Sequence, residues 1–474
     1  MQTTAEFTGP LLPDLPDRGN AGVSRADNCL PLSNSYEPFR SHVVDTDPLP
    51  SPCIGTKTLQ DYGLNAYNYA GTVADVYSRT GNTWTSIGTG YTASGWEFES
   101  FNDRAYAAGG VPLQSGIHGG ALGSIASAPS PLHIGISRNF VISANMPLFP
   151  RRVQWSALGD GEVWVSDGTN QAGQQELQRG GAISKVIGGE YAVIFCEHSI
   201  YVMRYVGGGI IWQFDEVQPG RGAISGGSVV QRGNDIYYLD VDGFWVFNGI
   251  QSQTLGTAKM NQTFVEDYDD TKPEAVSSLI DLDNTLVYWA YPGSGNTGIA
   301  NKIMVYNYAT DRWAGPVFVQ VQRLSYSSLP AVLSDNLAGL SDSFDTLSDA
   351  QEYRGGSPRV SAFNELSIHG NYVGQPLEAL VESGEFAINV GGKALIRSVR
   401  ALVDGPSPNV TVSLGTRNSA SGPVTYTTDK VAYLETGKAK FRSNARFHRI
   451  RVKVSGNFTH ILGAEPEATA TSNR

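Results

Sequence analysis

The chain has 474 residues, 41% hydrophobic and only 17% charged, with 54 glycines, material for one large core or two to three turn-rich domains. Its 34 Lys and Arg against 45 Asp and Glu leave a net charge of -11, which excludes a surface built for general attraction to nucleic-acid phosphate. Three cysteines, Cys29, Cys53 and Cys196, make no CxxC pair, which argues against a disulfide framework or a zinc site and fits synthesis in a reducing compartment.

The opening residues MQTTAEFTGPLLPDLPDRGN hold no basic stretch followed by an apolar run, and no window reaches the roughly 18 apolar residues of a membrane helix. A protein made soluble, without an export signal, is expected. Residues 1–58 read as an extended N-terminal arm, because eight of the 24 prolines fall before residue 53. Proline fixes φ and removes a donor, so this arm should dock on other parts of the chain rather than build a sheet of its own.

From 59 to 350, short apolar runs with period-2 alternation are separated by Gly, Asn and Asp turns, an all-β pattern. VADVYSRTGNTW (73–84) and KIMVYNYATDRW (302–313) both end an apolar run at a Tyr and place a Trp seven residues later. A tight hairpin would bring Tyr77 onto Trp84 and Tyr306 onto Trp313. Looser relatives are GEVWVSDGTN, HSIYVMRYVGGGIIW and DGFWVFNG. In the last, Asp242-Gly243 supplies a turn, Phe244 and Val246 point to one face and Trp245 and Phe247 to the other, as in a strand covered on both sides. Such units, recurring at roughly 40–50 residues, predict a β-propeller of about six blades, five to seven fitting the spacing, with a large sandwich or irregular barrel as the competing architecture. The Gly/Ala/Ser-rich piece 106–135 reads as a blade plus one long loop.

A Ser/Asp/Gly-rich stretch at 338–359 reads as a linker. Beyond it, in 351–474, alternating strands in EALVESGEFAINV, ALIRSVRALVDG, NVTVSLGTR and RFHRIRVKVSG predict a C-terminal β-sandwich-like domain.

In combination and in chain order, NCLPLSNSYEPF, AGTVADVYSRTGNTW, GWEFESFNDRAYAAGG, RRVQWSALGDGEVW, GGEYAVIFCEHSIYVMRYVGG, WQFDEVQPGRGAISGGSVVQRGNDIYYLDVDGFWVFNG and NARFHRIRVKV resemble the tail-nozzle family of short-tailed bacteriophages, also described as packaged-DNA stabilisation or tail accessory proteins. The resemblance implies a virion structural protein, made in the bacterial cytoplasm and assembled as a homo-hexamer below the portal. Its neighbours would be the tail adaptor ring and tail fibre, spike or needle proteins, and its ring would extend the channel for genomic DNA and help retain the packaged genome. An acidic lumen would let phosphate pass without grip.

One region opposes the acidic average. Residues 438–453 carry Lys438, Lys440, Arg442, Arg446, Arg449, Arg451 and Lys453 and no acid. Ile450, Val452 and Val454 alternate with Arg449, Arg451 and Lys453, so a strand here buries one side and presents a cationic row on the other. That row is either a solvated face salt-bridged to acidic neighbours, a docking surface for a neighbouring subunit or the adaptor, or a phosphate contact.

Catalytic, cofactor and metal residues are expected to be absent. Asp215 and Glu216, adjacent on a strand, point to opposite faces and are poorly placed to act on one glycosidic bond. Asp267, Asp269 and Asp270 cluster in VEDYDD without a catalytic role being expected of them, the Asp-x-Asp pieces of LDVDG and IDLDN read as turns, the run 207–209 matches no phosphate-binding glycine motif, and the seven histidines show no metal spacing. The alternative function is a carbohydrate-binding or glycan-cleaving receptor-binding tail component, which ring symmetry would separate from a nozzle.

Overall fold

A hairpin is the repeating part. Asp235–Asp240 and Gly243–Phe247 pair with Asp240 opposite Gly243, and Gly243 takes φ 119°, where a Cβ would also meet the Asn261 side chain at 2.3 Å. Phe244 and Val246 then join one hydrophobic cluster while Trp245 and Phe247 join another. Both faces of the strand are covered, as the alternation predicts, and each fully buried large side chain contributes about 1.5–3 kcal/mol.

The computed structural model describes residues 5–6, 9–16, 20–63, 65–327, 359–389, 391–433 and 435–471. Seven antiparallel units of four strands follow one another through 55–89, 97–124, 133–176, 183–219, 230–254, 277–321 and 323–371, the seventh completed by Val43–Pro48. The first strands of neighbouring sheets lie side by side, and Arg323–Ser327 of the seventh returns to Gly55–Gln60 of the first. Six further apolar clusters, beside the one shared by the fourth and fifth sheets, fill the remaining contacts. Tyr69 and Phe98 lie between the first and second sheets, for example, and Phe363, Ala70 and Tyr77 between the seventh and first. The architecture is an all-β, propeller-like ring.

The count of seven is the upper end of the expected five to seven, and the spacing centred on six because the seventh sheet is discontinuous in sequence. Its inner three strands, Arg323–Ser327, Arg359–Phe363 and Ile368–Asn371, accept an outer strand from the arm, with Ile368 opposite Pro48 and Asn371 opposite Val43. No local spacing reveals a strand supplied from the other end of the chain. The linker expected at 338–359 lies outside the described residues up to 358. The boundary expected at 350 does not separate the two units either, since Arg359–Phe363 and Ile368–Asn371 belong to the ring and the C-terminal strands begin at Ala379. The piece 106–135 completes the second sheet through Gln114–Ile117 and Gly123–Ser124 and opens the third at His133.

The C-terminal strands form two sheets. One runs Cys29–Pro31, Tyr36–Pro38, His460–Thr471, Lys393–Asp404, Lys438–Ala445, with Ala5–Glu6 also on His460–Thr471. The other joins Ala379–Ser383, Phe447–Asn457 and Ser407–Arg417 to two short strands, Thr425–Tyr426 and Lys430–Val431. Ile396, Val399 and Phe441 from the first share a hydrophobic cluster with Leu414, Ile450 and Val452 from the second. The arm strand Val23–Asp27 lies between Ala379–Ser383 and the outer strand of the sixth sheet, Arg312–Val321, where Ala26 faces Gly315. It thereby makes one ten-stranded sheet that continues from the ring into the C-terminal strands.

Candidate functional site

The seven basic residues singled out in the sequence divide into two groups. In Phe447–Asn457, Ile450, Val452 and Val454 are fully buried, and the alternate basic side chains turn to the opposite face and find acids there. Glu382, only 2% exposed, lies opposite Arg451 in the strand register and opposite Arg25 on its other side. Arg451 Nε donates to it at 2.7 Å, Arg449 lies at 3.7 Å, and Tyr426 donates its hydroxyl. Arg451 also covers the Tyr426 ring at 3.8 Å. Lys453 pairs with Asp429 at 2.6 Å, which holds that carboxyl below its usual range. Nearby, burial pushes the Asp27 carboxyl up against the opposing pull of Arg25 and Arg451. Arg449, Arg451 and Lys453 are therefore internal ties between strands.

The other four are presented outward. Lys438–Ala445 is the edge of its sheet, burying Ala439, Phe441 and Ala445 and exposing Lys438, Lys440 and Arg442, with Arg446 exposed just beyond. Arg397 and Arg400 are exposed on the adjacent strand. Lys438 reaches Glu467 at 3.5 Å and Arg400 reaches Glu465 at 3.8 Å, whereas Lys440, Arg442, Arg446 and Arg397 have no ion-pair partner among the described residues. Such a cationic edge also discourages strand-to-strand association. The candidate docking face consists of Lys438, Lys440, Arg442 and Arg446 with Arg397 and Arg400.

The acids weighed for catalysis are occupied elsewhere. Asp215 pairs with Arg204 at 3.0 Å, Glu216 accepts from Ser199 Oγ at 2.6 Å, and Asp267 receives Lys302 at 2.6 Å. Asp269 accepts from Thr271 within its turn and from Asn296 of the loop following Leu286–Tyr291. Among the described residues no group of three or more metal-ligating side chains comes together, and no helix is long and apolar enough to cross a membrane.

Two arrangements escaped sequence reasoning. Ser325 Oγ lies 3.0 Å from His369 Nε2, and His369 Nδ1 lies 2.8 Å from Asp45 Oδ1, the hydrogen-bond order of a nucleophilic triad. Ser325 and His369 are 5% and 1% exposed, and Asp45 also receives Arg79 at 3.1 Å and Asn371 at 2.9 Å. With no room for a substrate at the hydroxyl, the relay satisfies buried polar groups and fastens the closing strand Val43–Pro48 to its sheet.

The second is a cavity of about 490 Å³ on the ring axis, to which all seven sheets or the turns leading into them contribute. On its wall Glu97 accepts from Lys185 at 2.6 Å, His133 at 2.9 Å and the Ile134 amide at 3.1 Å. Burial opposes its charge, but Lys185 and His133 outweigh that and hold the carboxyl at about 2. Lys57 and Glu99 form a second pair there. Residues drawn from seven separate stretches leave no linear motif, so no signal in the sequence marks this cavity.

No family model matches the chain, and no curated protein matches it. Similar solved structures include the N-terminal part of BBS1 in complex with ARL6 (TM-score 0.31, 10% identity, 45% of this chain and 73% of that one). Another is apo AztD from Citrobacter koseri (TM-score 0.32, 11% identity, 56% and 71%). A third is the extracellular domain of a putative hybrid two-component system, BT4673, from B. thetaiotaomicron (TM-score 0.43, 8% identity, 85% and 48%). All three scores are too low to bear on function.

Proposed function

We propose that this chain is a virion structural protein, a tail nozzle or hub subunit of a short-tailed bacteriophage. In this reading a seven-bladed propeller and a C-terminal sandwich form one wall segment, and six copies form a ring that extends the DNA channel below the portal and adaptor. The observation that carries the reading is the ten-stranded sheet. Val23–Asp27 hydrogen-bonds the C-terminal strands to the ring, and a conduit wall needs that stiffness between its parts. The net charge of -11 suits passage of DNA without counterion-release affinity, and Lys438, Lys440 and Arg442 offer an acidic neighbour a complementary strip.

Imaging tests the reading. Purified protein, alone and with its tail partners, should give sixfold rings in negative stain. Threefold particles, or cleavage of a host surface glycan, would replace the nozzle with a receptor-binding tail component.

A further inference from the structure

We infer that the axial cavity is a binding site for a small organic anion, held through Arg323. This goes beyond a wall-forming role and stands or falls separately from it. The cavity wall carries three fixed cations, Lys57, Lys185 and Arg323, and three carboxylates, Glu97, Glu99 and Glu274. Lys57 and Lys185 are committed to Glu99 and Glu97, whereas Arg323, the third fixed cation lining the same space, has no carboxylate within ion-pair distance among the described residues. Glu274 lines the same space but makes no ion pair with it and acts only from a longer range.

A guanidinium has five donors. Arg323 Nε donates to Ile54 O at 3.2 Å and Nη1 to Gln322 O at 2.8 Å, which fixes the plane of the group. Nη2 has no hydrogen-bond partner among the described residues. Arg323 is half-buried, and a partly desolvated guanidinium gains from an anion that completes it. Among the described residues no side chain completes it, and the open side is a cavity. Across the same space the Ser225 Oγ is shielded from solvent and also without a partner. An oxyanion in the cavity would take the guanidinium's free edge in the short, charge-assisted geometry that Arg favours, and a rotation of the Ser225 side chain towards the cavity would add its unpartnered hydroxyl as a further donor.

The rest of the wall sets the class of ligand. Trp96, Phe98, Leu132, Val229 and Leu324 supply apolar surface beside the charged groups. About 490 Å³ lies in the range that encloses small organic molecules. The fit is to a compact carboxylate or phosphate ester with an apolar body, since Glu97 and Glu99 already neutralise the remaining cations and Glu274 adds a negative charge that would repel a polyanion.

Binding is measured by saturation-transfer NMR and by fluorescence, Trp96 being on the wall, with benzoate and inorganic phosphate as probes on the full chain. Saturable benzoate binding is expected, weakened roughly tenfold or more in Arg323→Met. Because Arg323 also braces Ile54 and Gln322, Ser225→Leu is the companion variant; it leaves the Arg323 hydrogen bonds in place, narrows the cavity, and should weaken binding severalfold in a protein that still melts cooperatively. Phosphate bound more tightly than benzoate assigns the site to phosphate esters. No saturable binding of either probe at about 10 mM, a concentration far above useful affinity, overturns the inference, as does equal binding by wild type and Ser225→Leu.

Discussion

Asp45 Oδ1 and His369 Nδ1 meet at 2.8 Å although 324 residues separate them in the chain. The bond joins the arm to the last sheet of the ring, and Arg79 of the first sheet grips the same carboxylate at 3.1 Å. Three parts of the chain thus converge where the ring closes. Asp45→Ala strips His369 and Arg79 of a shared acceptor and should cost about 2–4 kcal/mol, read as a lower denaturation midpoint with an unchanged denaturant slope.

The same contact makes stability depend on pH. Burial pulls the His369 imidazole below its usual range, Asp45 opposing. Below about pH 6.5 the unfolded chain therefore binds a proton that the folded one resists, and stability falls as pH drops through that range. His369→Gln should flatten this slope in equilibrium unfolding between neutral pH and pH 5; an unaltered slope assigns the dependence to another group.

Glu97 acts at lower pH and with the depressed-acid sign. Its carboxyl sits at about 2 against an ordinary 4.5, so its contribution is complete above pH 4.5 and disappears as pH falls towards 2, on the order of 3 kcal/mol in total. Glu97→Gln should lose most of that at neutral pH and leave a smaller further loss on acidification, measured by chemical denaturation at several pH values.

The two groups of basic residues predict opposite behaviour. Lys438→Glu with Lys440→Glu and Arg442→Glu changes an exposed edge and should move monomer stability by less than about 1 kcal/mol while weakening association with tail partners, most visibly at low salt. Arg451→Glu sets a second carboxylate against buried Glu382 and should cost about 3–5 kcal/mol before any association is measured. Intact assembly of the triple variant at low salt would falsify the docking role of that edge.

Phe244 tests the core of the ring. Fully buried, it touches Phe264 and Trp313 at 4.6 Å and Trp289 at 4.9 Å between ring centroids. Phe244→Ala should cost about 3–5 kcal/mol. Trp245, half-buried on the opposite face against Arg221 at 3.8 Å, should tolerate replacement by Phe at less than about 1.5 kcal/mol.

Alternation was legible in the sequence, and register was not. The two faces of Gly243–Phe247 and of Phe447–Asn457 follow from period 2 alone. Tyr306 does sit opposite Trp313, with ring centroids 4.7 Å apart. Tyr77 instead faces Ser86, because Thr80 pairs with Thr83 across a two-residue turn; Trp84 packs on Phe363 of the seventh sheet. Equal spacing gives different partners when the turns differ in length. The cationic row was legible for the same reason as the alternation. Its division was hidden, because the acid that engages Arg449 and Arg451 is Glu382, on a strand that only the folded chain brings alongside. The axial cavity belongs to the same class of invisible features.

Lacing the ring shut with an N-terminal strand also fixes an order of events during synthesis. A chain leaving the ribosome must carry Val43–Pro48 unpartnered until Ile368–Asn371 has been made, so closure is a late step with a large entropic barrier. Until then the last sheet offers an open edge to any extended segment nearby, including the same strand of a sister polypeptide on one messenger. Exchange of that strand between two nascent chains would give a linked pair with every sheet complete, and rapid capture by the chain's own arm is what keeps each copy separate.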